Sequence, residues 1–196
     1  MVRSMRRTAA LFTDHCFQTA DAKTAHGLVR GPSRFVIQAL IDRNGAGRDA
    51  GELLDGRARG IPTFADLAAL LQSGLPRPDC LVLGIATTGG VLPQSFRPTI
   101  LAAIAAGMDV VSGLHECLGD DAEFAAAAAR AGVQLVDVRR PRPRRELHFW
   151  TGAIHRVRAP RLAVLGTDCA LGKRTTCHLL VAACARAGLR AAIVHT

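Results

Sequence analysis

Residues 166–176, GTDCALGKRTT, have the residue types of a phosphate-binding loop between a strand and a helix. They continue the apolar run RLAVLG, and Gly172 and Lys173 open a helix-forming run. In such a loop, backbone N–H groups converge on an anion, the positive helix end faces it, and a Lys adds charge at the outer phosphates. Lys173 stands out because Lys23 is the only other lysine among 25 basic residues. We predict that the cofactor-binding residues are Gly166, Thr167, Asp168, Cys169, Ala170, Leu171, Gly172, Lys173, Arg174, Thr175 and Thr176.

The loop departs from the usual metal-nucleotide pattern in two places. Thr167 stands where the first glycine is expected, with Gly166 one residue earlier. Arg174 stands where a Ser or Thr would hold Mg²⁺, although it could itself pair with a phosphate. Anion binding is therefore expected while Mg²⁺ is doubtful. The alternative interpretation is a glycine turn in which Asp168 caps the helix.

Two further loops carry residues that could contact a substrate. Lys23 lies just inside a helix-forming run, where it could bind a carboxylate or phosphate or lie on a solvated helix face. Gly89 and Gly90 follow an apolar run, and a glycine pair permits either close approach of a ligand or a flexible turn. We predict Lys23, Gly89 and Gly90 as substrate-binding residues.

Two side chains are candidates for proton transfer. His115, in SGLHECLGDD, follows an apolar run and could take a proton from a substrate ammonium group. It could equally be a polar loop residue beside a helix cap. Asp168, in the phosphate loop, is the second candidate catalytic residue. No spacing that indicates a site is found for His15, His26, His148, His155 and His178.

Composition limits the partners to small molecules, with self-association left open. The formal net charge is +9, but nearly all of the positive charge is arginine, and the chain has no Tyr, one Trp and 7 Phe for bases to stack on. Nucleic-acid binding is therefore not expected. Apolar runs are too short for a membrane span or a secretory signal, so we expect a cytoplasmic protein.

Metal and dinucleotide signatures are missing from the sequence. The 6 cysteines form no Cys-x-x-Cys pair, so no metal site is predicted. The segment after the first apolar run lacks Gly-x-Gly-x-x-Gly, so NAD has no support. Asp42 stands where a ribose-binding acid would stand, although such a residue is more often part of a turn.

The elements that must position these loops alternate along the chain. Strands are predicted from short apolar runs at residues 9–13, 35–42, 80–84, 109–113 and 133–138. Helices are predicted from composition at residues 64–72, 93–106 and 121–131, with Asp120 or Asp121 as a cap. Apolar strands separated by helices are typical of a parallel sheet covered on both faces. Residues 1–138 are thus predicted to form an α/β, Rossmann-like domain.

An Arg- and Pro-rich stretch, RRPRPRR at residues 139–145, interrupts this pattern and predicts a linker over residues 139–160. A strand at 161–166, a helix at 173–187 and a strand at 190–194 would then form the first β-α-β unit of an incomplete P-loop domain at 161–196. Because one helix on two strands cannot bury its apolar faces, we expect residues after about 160 to pack poorly. The sequence is typical of the front portion of a longer protein.

Several segments together resemble a family of bacterial proteins that have a Rossmann-like first domain and a P-loop second domain. They are the phosphate loop, DAKTAHGLVR (21–30), DAG (49–51), GIATTGGVLP (84–93), SGLHECLGDD (112–121) and DVRRP (137–141). Members are described as D-glutamate N-acetyltransferases of the DgcN type, and they are longer than this chain. The phosphate loop also resembles, more distantly, that of dethiobiotin synthetase.

The family resemblance implies an N-acetyltransferase that acts on a D-amino acid such as D-glutamate. Its donor would be acetyl-CoA, whose phosphates suit an anion loop without strict Mg²⁺ geometry. Two alternatives stay open: an ATP-dependent enzyme resembling dethiobiotin synthetase, and a module that binds a nucleotide or metabolite without catalysis. We expect activity from the longer protein and none from these 196 residues alone.

Overall fold

The computed structural model of the protein describes residues 7–168 and 171–194. The chain divides into two compact units between Pro143 and Arg144. We call them the first and the second unit, and each is described by itself.

The first unit contains a six-stranded, all-parallel sheet in the order β3-β2-β1-β4-β5-β6. This order confirms the predicted Rossmann-like α/β fold, with two halves that diverge from β1. The strands are β1 (Thr8–Asp14), β2 (Val36–Asp42), β3 (Thr63–Phe64), β4 (Cys80–Leu83), β5 (Asp109–Ser112) and β6 (Leu135–Asp137).

The described part of the first unit contains five α-helices, and an aspartate caps the start of three of them. Asp49, Asp66 and Asp121 each accept backbone N–H groups of the first turn at the start of α2, α3 and α5, as good N-caps do. The sequence analysis predicted Asp120 or Asp121 as the cap of this helix, and the structure shows that it is Asp121. The helices are α1 (Lys23–Arg30), α2 (Ala50–Asp55), α3 (Leu67–Gln72), α4 (Arg97–Ala105) and α5 (Ala122–Ala131).

The core has two layers, one on each face of the sheet. Along β1, Ala10 and Phe12 pack into one apolar cluster, whereas Ala9 and Leu11 pack into the other. Both faces are therefore covered, which explains why the strands are continuous apolar runs in the sequence. Each fully buried Leu or Phe contributes about 1.5–3 kcal/mol to folding.

Two short elements were missed, and one helix boundary was wrong. The strand β3 and the helix α2 had no counterpart in the sequence analysis. Phe64, predicted as helical, lies in β3, and α3 begins only at Leu67. A two-residue strand is too short to show any periodicity, which is the physical reason for this error.

The second unit contains one α-helix, α6 (Lys173–Arg186), which agrees with the predicted helix. No side chain of α6 is buried, and Leu179 is 66% and Leu180 38% exposed. The strands predicted at residues 161–166 and 190–194 are wrong, because neither segment forms a strand in the described part of the chain. A strand needs a hydrogen-bonded neighbour, and two strands with one helix are marginal in water. The expected poor packing is therefore observed.

Within the described ranges, no helix combines the length and apolar character that crossing a lipid bilayer requires.

Gly84, directly after β4, allows α1 to pack closely on the sheet. A Cβ at residue 84 would lie 2.8 Å from the Ala25 Cβ, 3.1 Å from the Thr13 Cγ2 and 3.3 Å from the Phe12 carbonyl oxygen. We expect Gly84→Ala to lower the free energy of unfolding by about 1–3 kcal/mol, because overpacking forces the backbone to shift. Urea denaturation followed by circular dichroism measures this change.

The matched control is Gly27→Ala within α1, where a Cβ would meet nothing within 4 Å. Alanine should raise the free energy of unfolding there by about 0.5–1 kcal/mol through helix propensity. Equal denaturation midpoints for the two variants would show that the contact at Gly84 is not tight.

An ion-pair network joins α4 to the start of α5. Arg97 donates to Asp121 (2.7 Å) and to Glu123, and its guanidinium lies 4.3 Å from the centre of the Phe124 ring. The hydrogen bonds from Arg97 and from the backbone N–H groups lower the pKa of Asp121 from 3.8 to about 2. Because the folded-state pKa is depressed, the stabilisation is present above the unfolded pKa and is lost as pH falls from about 4 toward 2.

We expect Asp121→Asn, which retains an N-cap but removes the ion pair, to lower the free energy of unfolding by about 1 kcal/mol near neutral pH. The difference from wild type should shrink as the buffer is acidified from about pH 4 toward pH 2.5. Urea titrations at several pH values test this. Asp66→Asn, a cap exchange in α3, serves as control at neutral pH, and a pH-independent effect of Asp121→Asn would contradict the ion-pair account.

Candidate functional site

The loops that follow β1, β4, β5 and β6 all leave the same edge of the sheet. The strands are parallel, so their carboxyl ends lie together, and β1 has β2 on one side and β4 on the other. The chain crosses over in opposite directions from this point, and a sheet of this order is expected to have a crevice between the loops after β1 and β4. In open parallel sheets, ligands bind in this crevice.

Hydrogen bonds tie the two sides of the crevice together. Ala25 N–H donates to the Gly84 carbonyl (2.9 Å), and Ala86 N–H donates to the Asp21 carbonyl (2.7 Å). Lys23 is the first residue of α1 and is exposed, so the predicted position inside a helix is confirmed. Its role in substrate binding stays a prediction.

The structure brings the predicted residues Gly90 and His115 into contact. The Gly90 carbonyl accepts from His115 N–H (3.0 Å) and from Glu116 N–H (3.1 Å), and the Glu116 carboxylate accepts from Leu92 N–H (2.7 Å). Gly90 has a φ of 70°, and a Cβ there would lie 2.8 Å from the Cβ and Cγ of His115. Only glycine therefore allows the loop after β4 to lie against this ring.

The His115 ring is exposed and contacts an arginine. Arg139 donates through Nε to the Gly113 carbonyl (2.7 Å), and its Nη1 lies 3.4 Å from the His115 Nε2. A guanidinium can only donate, so Nε2 must accept in this long contact. His115 would have to leave Arg139 before Nε2 could take a proton from a substrate.

Asp42, considered as a ribose-binding acid, is the last residue of β2 and has a structural role. It is 2% exposed, and its carboxylate accepts from the Thr13 hydroxyl (2.9 Å) and from the N–H groups of Phe17 (2.8 Å), Asn44 (3.1 Å) and Gly45 (3.1 Å). These four donors occupy the carboxylate, which leaves little capacity for a ligand hydroxyl.

The sequence analysis missed a group of three side chains at this edge, Asp14, His15 and Arg43. At the end of β1, the Asp14 carboxylate contacts both the His15 Nδ1 (2.7 Å) and the Arg43 guanidinium. The usable signal was an Asp-His dipeptide directly after an apolar run. The sequence analysis compared His15 only with the other histidines, so the adjacent carboxylate was overlooked.

In the second unit, Gly172 and Lys173 lie at the start of α6, as predicted. Gly172 is the N-cap with a φ of 84°. The Lys173 ammonium donates to the Asp168 backbone carbonyl, and a Cβ at residue 166 would lie 3.0 Å from the Lys173 Cδ. Gly166 thus gives the lysine side chain room to fold back over the loop. Cys169 and Ala170 lie outside the described residues.

The remaining described residues of the predicted loop lie at the surface of the second unit. Leu171, Arg174, Thr175 and Thr176 are exposed. The Thr176 hydroxyl donates to the Gly172 carbonyl (3.1 Å), which is a bond internal to the helix start. Thr167 is exposed as well, and the roles of all these residues in cofactor binding stay predictions.

The described part of the chain contains cysteines and other side chains of the types that can bind a metal ion. The described cysteines are free, and burial raises the pKa of Cys80 to about 11, which keeps it a neutral thiol. Among the described residues, no three His, Cys, Asp or Glu side chains are grouped so as to hold a metal ion.

A cavity of about 660 Å³ lies beside β3, away from β4 and β5. Burial would raise the pKa of Asp49 in its wall, but hydrogen bonds from Arg59, Ile61, Glu52 and Gly51 N–H groups outweigh burial and lower it. Asp49 is thus a structural carboxylate. The cavity wall contains none of the predicted site residues, since it is formed by Ala46, Gly47, Arg48, Asp49, Gly60, Pro62, Thr63, Phe64, Ala65 and Ala69.

Two family models match the chain. One is described as a domain of unknown function, DUF1611_N, Rossmann-like domain, and matches residues 43–141. The other is described as DUF1611_C, P-loop domain, and matches residues 148–196. The chain belongs to the DUF1611 family. The Rossmann-like and P-loop organisation expected from the family resemblance is thereby confirmed.

Relatives of this DUF1611 chain include two proteins named D-glutamate N-acetyltransferase. The one from Pseudoalteromonas sp is 39% identical over 95 residues, which are 48% of this chain and 27% of that protein. The one from Tritonibacter scottomollicae is 35% identical over 96 residues, 49% of this chain and 28% of that protein. Each match thus covers under a third of the relative.

A solved structure of the same family has the same fold. The crystal structure of a DUF1611 family protein from Anabaena variabilis ATCC 29413 superposes with a TM-score of 0.82 at 32% sequence identity. The comparison covers 93% of this chain and 51% of that protein, so the chain spans about half of its length.

We expect Gly90→Ala to displace the His115 ring, because both the positive φ and the contact with the ring exclude a side chain. The measurement is the position of the His115 ring signal in histidine-selective NMR, assigned with His115→Gln. Stability should fall by about 2–4 kcal/mol from backbone strain and overpacking together.

Gly89→Ala is the matched control. Gly89 has the same φ of 70°, but a Cβ there would meet only the Val91 Cγ2 at 3.7 Å. That variant should show the cost of strain alone, about 1–2 kcal/mol, with the His115 signal unmoved. A His115 signal that is unchanged in Gly90→Ala would show that the two loops are not clamped as described.

Proposed function

We propose that the complete protein containing this chain transfers an acetyl group from acetyl-CoA to the amino group of a D-amino acid such as D-glutamate. The observation that carries the proposal is the 39% identity over 95 residues with the D-glutamate N-acetyltransferase of Pseudoalteromonas. The second relative with the same name, at 35% identity, supports it. The reaction is proposed for the cytoplasm, with small molecules as partners.

The loop before α6 fits the phosphates of acetyl-CoA by its charge. The donor carries a pyrophosphate and a ribose phosphate, and the loop offers Lys173, Arg174 and the positive end of a 14-residue helix. A bound phosphate would replace the Asp168 carbonyl as the partner of the Lys173 ammonium. The flexible lysine stem over Gly166 allows this exchange.

The same loop argues for CoA over an ATP-dependent reaction. Arg174 follows the lysine where a metal-binding hydroxyl would be expected, and the Thr176 hydroxyl donates to a helix carbonyl. Metal-bound triphosphate therefore lacks its usual hydroxyl ligand in this loop. Three acceptor-side residues of the first unit, Lys23, Gly89 and Gly90, are proposed to hold the substrate carboxylate.

Amide formation needs a neutral amine, so the substrate ammonium must lose a proton before it attacks the thioester. His115 and Asp168 are the candidates that the sequence analysis proposed for this step. His115 lies on the loop clamped to Gly90, at the carboxyl edge where a substrate is expected.

We expect Lys173→Ala in the complete protein to weaken acetyl-CoA binding about tenfold or more, because a charge-assisted contact is lost. Isothermal titration calorimetry measures the binding, and an acetylation assay with D-glutamate measures the activity. Arg186→Ala, at the far end of α6, is the control and should leave both unchanged.

A thermal-shift panel of acetyl-CoA, Mg-ATP and NAD separates the alternative functions. Acetyl-CoA at about 100 times its Kd should stabilise the protein by about 2.7 kcal/mol, whereas the other two ligands should not. The proposal fails if Lys173→Ala retains both acetyl transfer and CoA affinity. Stabilisation by Mg-ATP alone would favour the ATP-dependent alternative.

A further inference from the structure

We propose that Asp14, His15 and Arg43 form the acceptor site at the end of β1, in which His15, in place of His115 or Asp168, takes the proton of a substrate ammonium group and Arg43 binds a carboxylate. The ligand class is an α-amino acid. The assignment of this ligand rests on the proposed function, whereas the proton-accepting pair rests on the geometry of the first unit alone.

Asp14 is held in a conformation that needs support from its surroundings. It has a φ of 58°, and among the described residues it is the only non-glycine residue with a positive φ. Asp tolerates this region better than most residues, but the conformation still costs free energy and is enriched at functional sites. The Asp14 carbonyl accepts from Arg43 N–H (2.7 Å), and the His15 carbonyl accepts from the Asn44 side-chain amide (3.1 Å). The loop after β2 thus fixes the backbone of the pair.

The Asp14 carboxylate determines the tautomer of His15. Oδ2 of Asp14 lies 2.7 Å from the His15 Nδ1, and an ionised carboxylate can only accept. Nδ1 must therefore carry a proton, which leaves the lone pair of the neutral ring on Nε2. The Asp14 side chain is 9% exposed and the His15 side chain 56% exposed, so the orienting group is buried and the proton acceptor faces solvent.

The other described histidines of the first unit lack this arrangement. The His26 Nε2 lies 2.5 Å from the Phe17 carbonyl, and its ring packs edge-on against the Phe17 ring, so its role is structural. The His115 Nε2 faces Arg139 at 3.4 Å. His15 alone of these three combines a carboxylate on Nδ1 with an Nε2 that has no hydrogen-bond partner in the described part of the chain.

Arg43 supplies the charge for a carboxylate. It reaches the Asp14 Oδ1 through Nη2, and its side chain remains 63% exposed. A guanidinium has five N–H donors, so donors remain for a ligand beside the one used by Asp14. An amino acid whose carboxylate binds Arg43 would bring its ammonium group near the His15 ring, because both side chains are anchored to the same carboxylate.

The proton balance of the reaction is simple. The substrate ammonium gives one proton to the His15 Nε2, which leaves a neutral amine and an imidazolium stabilised by Asp14. The amine lone pair forms a bond to the acetyl carbon, the C–S bond breaks, and its electron pair stays on sulfur. The nitrogen then loses a second proton, which the CoA thiolate takes up, so that the products are the amide and the free thiol of CoA. His15 returns its proton to solvent.

Three variants of the complete protein test the site by steady-state kinetics with acetyl-CoA and D-glutamate. His15→Gln should lower kcat about 100-fold or more with little change in KM, since general-base catalysis contributes about this much. Asp14→Asn, which keeps the shape and tolerates the positive φ, should lower kcat about tenfold or more by weakening control of the tautomer. Arg43→Gln should raise KM for D-glutamate about tenfold or more through the lost charged contact.

His148→Gln, an exposed histidine of the second unit, is the control and should retain wild-type kinetics. Arg43→Lys serves as a second variant if Arg43→Gln fails to fold, and it should give an intermediate KM because a lysine cannot reproduce the planar fork. A His15→Gln variant that keeps kcat within about threefold of wild type would overturn the proposal, since a general base contributes far more than that.

A second readout separates this site from the proposed function. Diethyl pyrocarbonate modifies neutral imidazole, and peptide mass mapping follows each histidine. His15 should react faster than His148, more slowly in Asp14→Asn, and much more slowly when D-glutamate is present. This result would support the acceptor site even if wild-type protein transfers no acetyl group, in which case the proposed function alone fails. Absence of protection, or equal protection by inorganic phosphate, would overturn the amino-acid site.

Discussion

The parallel pairing of β1 with both β2 and β4 is the constraint on which the rest of the structure depends. It buries β1 on both faces and at both edges, and it brings the loops after β1, β2 and β4 to one edge of the sheet. The close approach of α1 to Gly84, the contact between Gly90 and His115, and the Asp14–Arg43 pair all lie at that edge. The order of the strands therefore determines which loops lie together at this edge.

Most strands of the first unit could be predicted from the sequence because they are buried on both faces and are therefore continuous apolar runs. Continuous apolar runs located every strand except β3, and acidic caps marked helix starts such as Asp121. The sequence analysis missed β3 because its first residue is held by backbone hydrogen bonds, from Gly47 N–H to the Thr63 carbonyl and from Thr63 N–H to the Arg48 carbonyl, rather than by an apolar pattern. In the second unit the same patterns predicted strands that do not pair, since a pattern shows what a segment could bury and not whether a neighbour is there.

A predicted site residue could be recognised from the sequence only when its partners are near it in the chain. The loop before α6 could be recognised because its glycines and lysine are contiguous, and the helix begins at Lys173 as predicted. Contacts such as Gly90 with His115, or Asp14 with Arg43, join segments at the ends of different strands, so the spacing of residues in the sequence does not reveal them. Asp42 stands at a plausible position for a ligand-binding acid, but its carboxylate accepts hydrogen bonds both from the turn after β2 and from the end of β1 and the loop after it.

The most direct test of the account is an NMR titration of the ¹⁵N-labelled complete protein with D-glutamate. The central claim is that the acceptor binds at the carboxyl edge of the parallel sheet. Amide signals should then shift for residues that follow β1, β4 and β5, with those of His15, Gly90 and His115 among them. Shifts restricted to the opposite edge of the sheet or to the cavity beside β3, or no shifts at saturating D-glutamate, would contradict the account.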